Sequence, residues 1–271
     1  MRALVASCVA ALAVPIAIRA QPPQVAPKFD VASIKRNAGG GPSNSVEIGL
    51  MRAIARASRG GRFHVPNASL HLLIQLAYDA RDYQIVGEPS WAASDGYAVT
   101  AKAEGDVNFE QMRPMLQSLL ADRFQFSFHR ETRQLPVYEL AAAKGGLRIA
   151  PAKAGSCVTR DPQGPTLPFG SKICGGERIG IGRIEGFGVT MPKLVELLSD
   201  RIGRTVIDRT SFRGAFDFQL DFAPEEAMGS DPGTAPSIFA ALQEQLGMRL
   251  ESAKGPVEVL VIDRVERPAE N

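Results

Sequence analysis

The chain is poor in the residues that most often carry chemistry. Of 271 residues, three are histidine (His64, His71, His129) and three are cysteine (Cys8, Cys157, Cys174), with a single tryptophan, Trp91. No His-Glu-x-x-His run occurs, and no two histidines stand three or four apart as helical metal ligands do. The Gly-x-Ser-x-Gly elbow, the Ser-x-x-Lys motif and the Gly-x4-Gly-Lys-Ser/Thr phosphate loop are also missing. No catalytic residue, metal site or cofactor is therefore expected. A hydrolase assembled from distant residues is left open, with no motif to support it.

An excess of charge is lacking too. The formal net charge is +2, from 31 Lys+Arg and 29 Asp+Glu. Arg2 and Arg19 lie in a segment expected to be removed, and 31 minus 2 leaves 29 basic against 29 acidic residues. A neutral chain has no electrostatic footprint for nucleic acid or an anionic membrane surface. Hydrophobic residues make up 45% and charged residues 22%, which excludes a disordered or collagen-like chain and provides material for a core.

Residues 1–20, MRALVASCVAALAVPIAIRA, have one Arg, an apolar run from Ala3 to Ile18 and a small residue, Ala20, before Gln21-Pro22-Pro23. This is the layout of a secretory signal peptide. The alternative, an uncleaved anchor, is weakened by Pro15 and by a run shorter than the roughly 20 residues that span a bilayer. Expected boundaries are a signal at 1–20, a linker at 21–28 and a chain that is soluble after cleavage, periplasmic or secreted. Export leaves Cys157 and Cys174 as the only thiols, and in an oxidising compartment they are expected to form one disulfide. A zinc site is the competing reading, but no histidine lies near either cysteine and no Cys-x-x-Cys pair occurs.

An internal similarity organises the rest. Residues 61–101 align without a gap onto 182–222, an offset of 121 (182 minus 61), with identities at Gly61/Gly182, Arg62/Arg183, Leu73/Leu194, Leu76/Leu197, Asp79/Asp200 and Ser90/Ser211. Leu70, Leu73, Ile74 and Ala77 recur as Met191, Leu194, Val195 and Leu198, the spacing of an amphipathic helix. Ser69 and Thr190 precede these helices as N-cap residues, and Pro192 falls in a first turn. A short apolar run follows each (84–86 and 205–208), then an alternating strand, Tyr97/Val99/Ala101 or Phe218/Leu220/Phe222. Trp91 and Phe212, just before these strands, are expected to plug the core. A second helix (115–120, 241–246) and a last strand (136–140, 256–260) complete each copy, with Arg123 and Arg249 each opening a strand. Leading strands are expected at 29–34 and 147–152. The predicted fold class is α+β, a tandem duplication of two β-α-β-β-α-β-β units at 29–145 and 146–267, with a tail at 268–271.

The runs FDVASIKRN, GRFHVPNASLHLLIQLAY, QIVGEPSW, MLQSLLADRFQFSFHRETRQLPVYEL, TVIDRTSFRGAFDFQLDF and ALQEQLGMRLESAKGPVEVLVIDRVERP resemble an exported, uncharacterised family expanded in soil Acidobacteria, the DUF3738 family. The resemblance spans Phe29 to Pro268 and implies an envelope setting but no catalytic residues. Domains related to that family occur fused to membrane peptidases, which implies a sensory setting. Each half is also similar in layout to the small periplasmic N-terminal domain of secretins and TonB-dependent transducers, which implies an interaction module.

Two Gly-rich segments, 37–61 and 174–188, occupy equivalent places. The second, with Gly180-x-Gly182-x-x-x-Gly186, misses the dinucleotide fingerprint and reads as a turn or extended loop. Arg62 and Arg183 adjoin these segments and are the candidate binding residues, against a structural reading as ion pairs or covers of apolar surface. His71 is expected on the solvated side of its helix. The Phe124-Gln-Phe126-Ser-Phe128 alternation could offer an edge for strand addition. The resulting expectation is a non-catalytic binding or protein-interaction module of the cell envelope, taking a protein or peptide partner, with no composition signal for its oligomeric state. The alternatives are a peptidase-like envelope hydrolase with a site between the halves, and an accessory sensor partner of a membrane peptidase.

Overall fold

Two strands of unusual length set the architecture: β5 (Ser127–Ala142) and β10 (Met248–Arg264). They pair antiparallel along almost their whole length, from Met248 opposite Ala142 to Arg264 opposite Ser127, with one break in register near Ile262. The computed structural model describes residues 26–37, 60–161, 167–168, 170–223 and 235–269. The expected signal at 1–20, most of the linker, the first glycine segment between 38 and 59 and the last two residues lie outside these.

The class is α+β. In the first half, β1 (Val31–Arg36), β2 (Arg62–Ala68) and β4 (Tyr97–Lys102) form an antiparallel sheet in the order β1-β4-β2. Helix α1 (Leu70–Tyr78) follows β2, then β3 (Ile85–Val86), the short α2 (Trp91–Ser94), and, after β4, α3 (Phe109–Phe124). In the second half, β6 (Gly176–Gly180), β7 (Arg183–Thr190) and β9 (Ala215–Asp221) form a sheet in the order β6-β7-β9. Helix α4 (Met191–Ile202), β8 (Val206–Asp208) and α5 (Ile238–Ala241), which widens into a π-type turn over Leu242–Leu246, complete it.

The helices form as their sequence patterns dictate. Ser69 Oγ accepts the Leu72 N–H at 3.0 Å and caps α1, and Leu70, Leu73, Ile74 and Ala77 are all buried. Met191, Leu194 and Leu198 are buried on α4, which starts on Thr190 and carries Pro192 in its first turn. Thr190 itself makes no side-chain cap bond. Asn108 and Gln111 form a reciprocal capping box that starts α3. Phe212 packs edge to face on Phe216 at 5.4 Å, and Trp91 packs against the first core.

Several strand expectations need correction. No leading strand forms at 147–152; that segment touches β9 only through the bridge of Pro151 to Phe216 and the Ala152 N–H bond to the Ala215 carbonyl. Strands β2 and β7 precede α1 and α4, where the sequence suggested no strand, because the alternation Phe63/Val65 and Ile184/Gly186 turns one face inward. The glycine run at 174–188 is not a loop: residues 176–190 make the β6–β7 hairpin, turning at Ile181-Gly182. The last two expected strands of each half are one continuous strand. Pro136 and Pro256 do not interrupt it. The Tyr138 N–H points to Thr205 and away from β10, so the ring of Pro136, two residues earlier, faces the same way, where no ladder bond is lost. The Glu258 carbonyl, bonded by Gln84, places Pro256 likewise.

Phe124 also lies outside the strand assigned to it. It ends α3, and Gln125, at φ 52°, turns the chain in left-handed conformation before β5. Gly247, at φ 64°, does the same before β10, 122 residues later (247 minus 125). This offset, and not the 120 that aligns Pro136 with Pro256, relates the two long strands. Arg123 consequently lies in the last turn of α3 while Arg249 lies in β10, so they are not counterparts.

The long strands serve both halves. Strand β3 adds parallel to β10 at Leu260 and Val261, and β8 adds parallel to β5 at Tyr138 to Leu140. One core gathers α1, α3, β2 and β4 with Phe126 of the first half and Leu260 near the end of the second. The other gathers α4, β7 and β9 with Met248 and with Leu140 of the first half. A smaller cluster, Val137, Val257 and Val259, lies on the opposite face of the central sheet against Tyr83 and Ile207. The register breaks in β2–β4, between Val65 and Ala68, and in β7–β9, between Gly186 and Val189, at positions 121 apart.

Glycine is required at 247 on two counts. Its φ is positive, and a Cβ there would lie 2.1 Å from the Gly146 carbonyl oxygen and 2.8 Å from the Arg148 nitrogen, both backbone atoms. Gly247→Ala is expected to lower unfolding free energy by about 2–4 kcal/mol in urea titrations. Gln125→Gly, at the corresponding turn, is expected to change it by less than about 1 kcal/mol. Equal losses at both positions would show that the close approach at 247 is not what demands glycine.

Candidate functional site

The two candidate arginines occupy different sheets. Arg62 opens β2 on the exposed face, beside Gly61 and opposite Lys102. Arg183 opens β7 and gives its Nε–H to Asp221 Oδ1 at 2.5 Å across the ladder to β9. The Asp221 carboxyl, held by Gln219 and then by Arg183, sits below its ordinary range. The structure thus spends Arg183 on a cross-strand ion pair, and no described pocket joins it to Arg62.

The histidines are scattered over three elements. His64 Nδ1 on β2 meets Thr100 Oγ1 at 3.0 Å, and His129 Nδ1 on β5 meets Asp263 Oδ1 at 2.8 Å. His71 is not solvated as expected. Its side chain is 12% exposed, with Nδ1 2.7 Å from Glu88 Oε2 and Nε2 3.1 Å from Asp82 Oδ1. Carboxylates lie against both ring nitrogens, so the imidazole ties α1 to the turns on either side of β3. Among the described residues, no group of three or more His, Cys, Asp or Glu could hold a metal ion, and no helix is long and apolar enough to cross a membrane.

Cys157 and Cys174 are bonded, the pair expected from the sequence. The bond fastens the segment after β5 to the start of the β6–β7 hairpin, where the Cys174 N–H donates to the Val158 carbonyl and the Val158 N–H to the Lys172 carbonyl. Little apolar surface is buried there, since Val158 is exposed. In the chain-entropy view, closing a loop of about 17 residues is worth roughly 3 kcal/mol. The double variant Cys157→Ser, Cys174→Ser is expected to lose about that much in equilibrium unfolding. A loss under about 1 kcal/mol would show the staple to be energetically idle.

A polar cluster that the sequence did not reveal joins three distant segments. Arg36 at the end of β1 and Arg267 near the C-terminus both reach Asp95 Oδ2, at 3.1 and 2.9 Å. The Arg267 guanidinium lies 4.8 Å above the Trp91 ring, a cation–π contact. Asp95 is 12% exposed at its side chain, and Arg267 first, then Arg36, hold its carboxyl below the usual range. No local signal could have found this cluster, because 172 residues separate Asp95 from Arg267.

Two open grooves lie on the described surface. The first runs between residues 28–32 and the α3 side chains Met115, Leu119 and Asp122. The second runs between residues 143–148 and the turn of Gln243, Glu244 and Gly247.

Comparison with known families gives one match: the family described as "Protein of unknown function (DUF3738)" covers residues 71–265. The chain belongs to this family. The matched region of this DUF3738 chain starts at His71, within α1, and runs to the end of β10; it holds the second core and the central sheet, while β1, β2 and their share of the first core lie before it. No curated protein matches, and no solved structure matches.

The Asp95 cluster has a defined pH signature. A carboxyl whose folded-state pKa is depressed contributes its stability above the ordinary value of about 3.9, and loses it as pH falls through the folded value. Asp95→Asn is expected to lower the thermal midpoint at neutral pH, with the gap to the wild type closing as pH is taken below about 4. A gap independent of pH would remove the charge from the explanation.

Proposed function

We propose that this DUF3738 chain is an exported, non-catalytic binding module of the cell envelope, periplasmic or secreted, that takes a protein or peptide partner. We further propose that it arose by tandem duplication of the units 29–145 and 146–267. The open groove between residues 28–32 and α3 carries the binding reading. It sits beside the outer strand of the first sheet, on a scaffold held by the β5–β10 pairing. The matched register breaks in β2–β4 and β7–β9 support the duplication. Of the two arginines, Arg62 suits ligand contact better, because a ligand at Arg183 would have to compete with Asp221.

One observation favours the rival, a peptidase-like hydrolase: the His71–Glu88 pair has the form of a base oriented by a carboxylate. Against it, Asp82 stands at Nε2, the position from which such a base would act.

The test is capture from envelope extracts by chemical cross-linking, identification of the captured protein, and titration of the purified partner against the chain. Saturable binding at fixed stoichiometry is expected. Turnover of peptide or ester substrates that Glu88→Gln abolishes, with the thermal midpoint unchanged, would put the hydrolase in its place.

A further inference from the structure

Strand β1 is the outer strand of its sheet, and among the described residues no strand covers its far side. The Asn37 N–H bonds to the Gly96 carbonyl on β4, and β1 and β4 pair without a register break from Val31 to Arg36. Backbone alternation therefore turns Ser33 and Lys35 toward β4 and turns the N–H and C=O groups of Ala32, Ile34 and Arg36 outward. A row of outward main-chain donors and acceptors is a template for one more strand.

The surroundings of this edge narrow its occupant. At one end lies the first groove, where Phe29 and Ala32 meet Met115 and Leu119, an apolar floor beside the open edge. Lys28 and Asp122 pair across it at 2.7 Å and cancel. At the other end charge does not cancel. Arg36 and Arg267, each about half exposed, share the single carboxylate of Asp95, and exposed Lys35 adds a further cation. Three cations against one carboxylate leave an excess of two, with guanidinium N–H groups directed to solvent beside the outward groups of Arg36. Sharing Asp95 and stacking on Trp91 hold the guanidinium of Arg267 in place before any ligand arrives.

We infer that the free edge of β1 receives an extended peptide carrying carboxylates, which adds as a fourth strand, seats an apolar side chain against Met115 and Leu119, and sets an acidic group on Arg36 and Arg267. This deepens, and rests on, the reading of the chain as a binding module. Main-chain bonds would supply the affinity and the two ends of the edge the selectivity.

The probe is a fluorescein-labelled peptide of alternating valine and glutamate, eight residues long, titrated by anisotropy against the mature chain at physiological salt. Its controls are the same peptide with lysine for glutamate, and with alternate amides N-methylated. The glutamate peptide is expected to bind, and the lysine and N-methylated peptides to bind about tenfold or more weakly. Ala32→Pro removes one outward N–H while leaving the ladder to β4 intact, and is expected to weaken binding about tenfold with an unchanged thermal midpoint. Should that variant fold poorly, the N-methylated peptide tests the same bonds on the wild-type chain. Equal binding of glutamate and lysine peptides, or indifference to N-methylation, would overturn the inference. So would a wild-type dimer that Ala32→Pro dissolves, since the edge would then belong to a second copy. If an envelope partner is captured equally by wild type and Ala32→Pro, the module reading stands and the β1 edge is the wrong surface.

Discussion

The pairing of β5 with β10 is the constraint on which the rest depends. Each strand runs the length of both halves, so each meets two different environments. Phe128 and Leu260 pack into or against the first core, while Leu140 and Met248 pack into the second. Between these ends the same sheet buries its other face through Val137, Val257 and Val259. Strand alternation alone sets these valines on the face opposite Leu140, Met248 and Leu260, so the sheet is covered on both sides. Neither core is complete without a strand from the other half. The short strands β3 and β8 then need only two or three residues of pairing, because a long strand already lies beside them.

Polar groups are handled by distant partners more than by local ones. Arg81 meets Asp200 at 2.5 Å and so links the turn after α1 to the end of α4. Arg36, Asp95 and Arg267 tie the first strand and the C-terminal segment to one carboxylate. His71 is enclosed by Asp82 and Glu88. The Arg81–Asp200 pair is partly exposed and contributes little by itself to stability, whereas His71 and Asp95 are largely shielded. Their value here is positional, since each fixes a segment that lacks a strand or helix of its own to hold it.

Helices and alternating strands were legible because their information is local. The i, i+3, i+4 pattern of α1 and the alternation in β4 and β9 are buried as their residues indicate, and so is that of α4 apart from the partly buried Val195. The missed elements depended on neighbours. Whether 147–152 forms a strand is decided by what lies beside it, and there β9 offers only the Pro151 bridge. The glycine run at 174–188 became a hairpin because β7 pairs with β9 and leaves its other edge to β6. Gly186 suits that ladder: a Cβ there would lie 2.2 Å from the Phe218 ring. The prolines at 136 and 256 open the expected last strands, and only the direction of the Tyr138 N–H shows why they are tolerated inside longer ones. Among site residues, the disulfide followed from counting, whereas the Asp95 cluster could not, its members being far apart in the chain.

The sequence by itself determined the elements whose burial pattern repeats over a few residues, the α+β class and the pairing of Cys157 with Cys174. It also carried the 121-residue offset that relates α1 to α4. Tertiary structure decided that the long strands cross between halves, that Gly247 must stay glycine against the Gly146 carbonyl, and that Arg183 is committed to Asp221, while among the described residues β1 is an outer strand. The physical reason is range. Helical periodicity and capping are settled within about four residues, but strand partners, register and the sharing of a carboxylate are settled between residues more than a hundred positions apart.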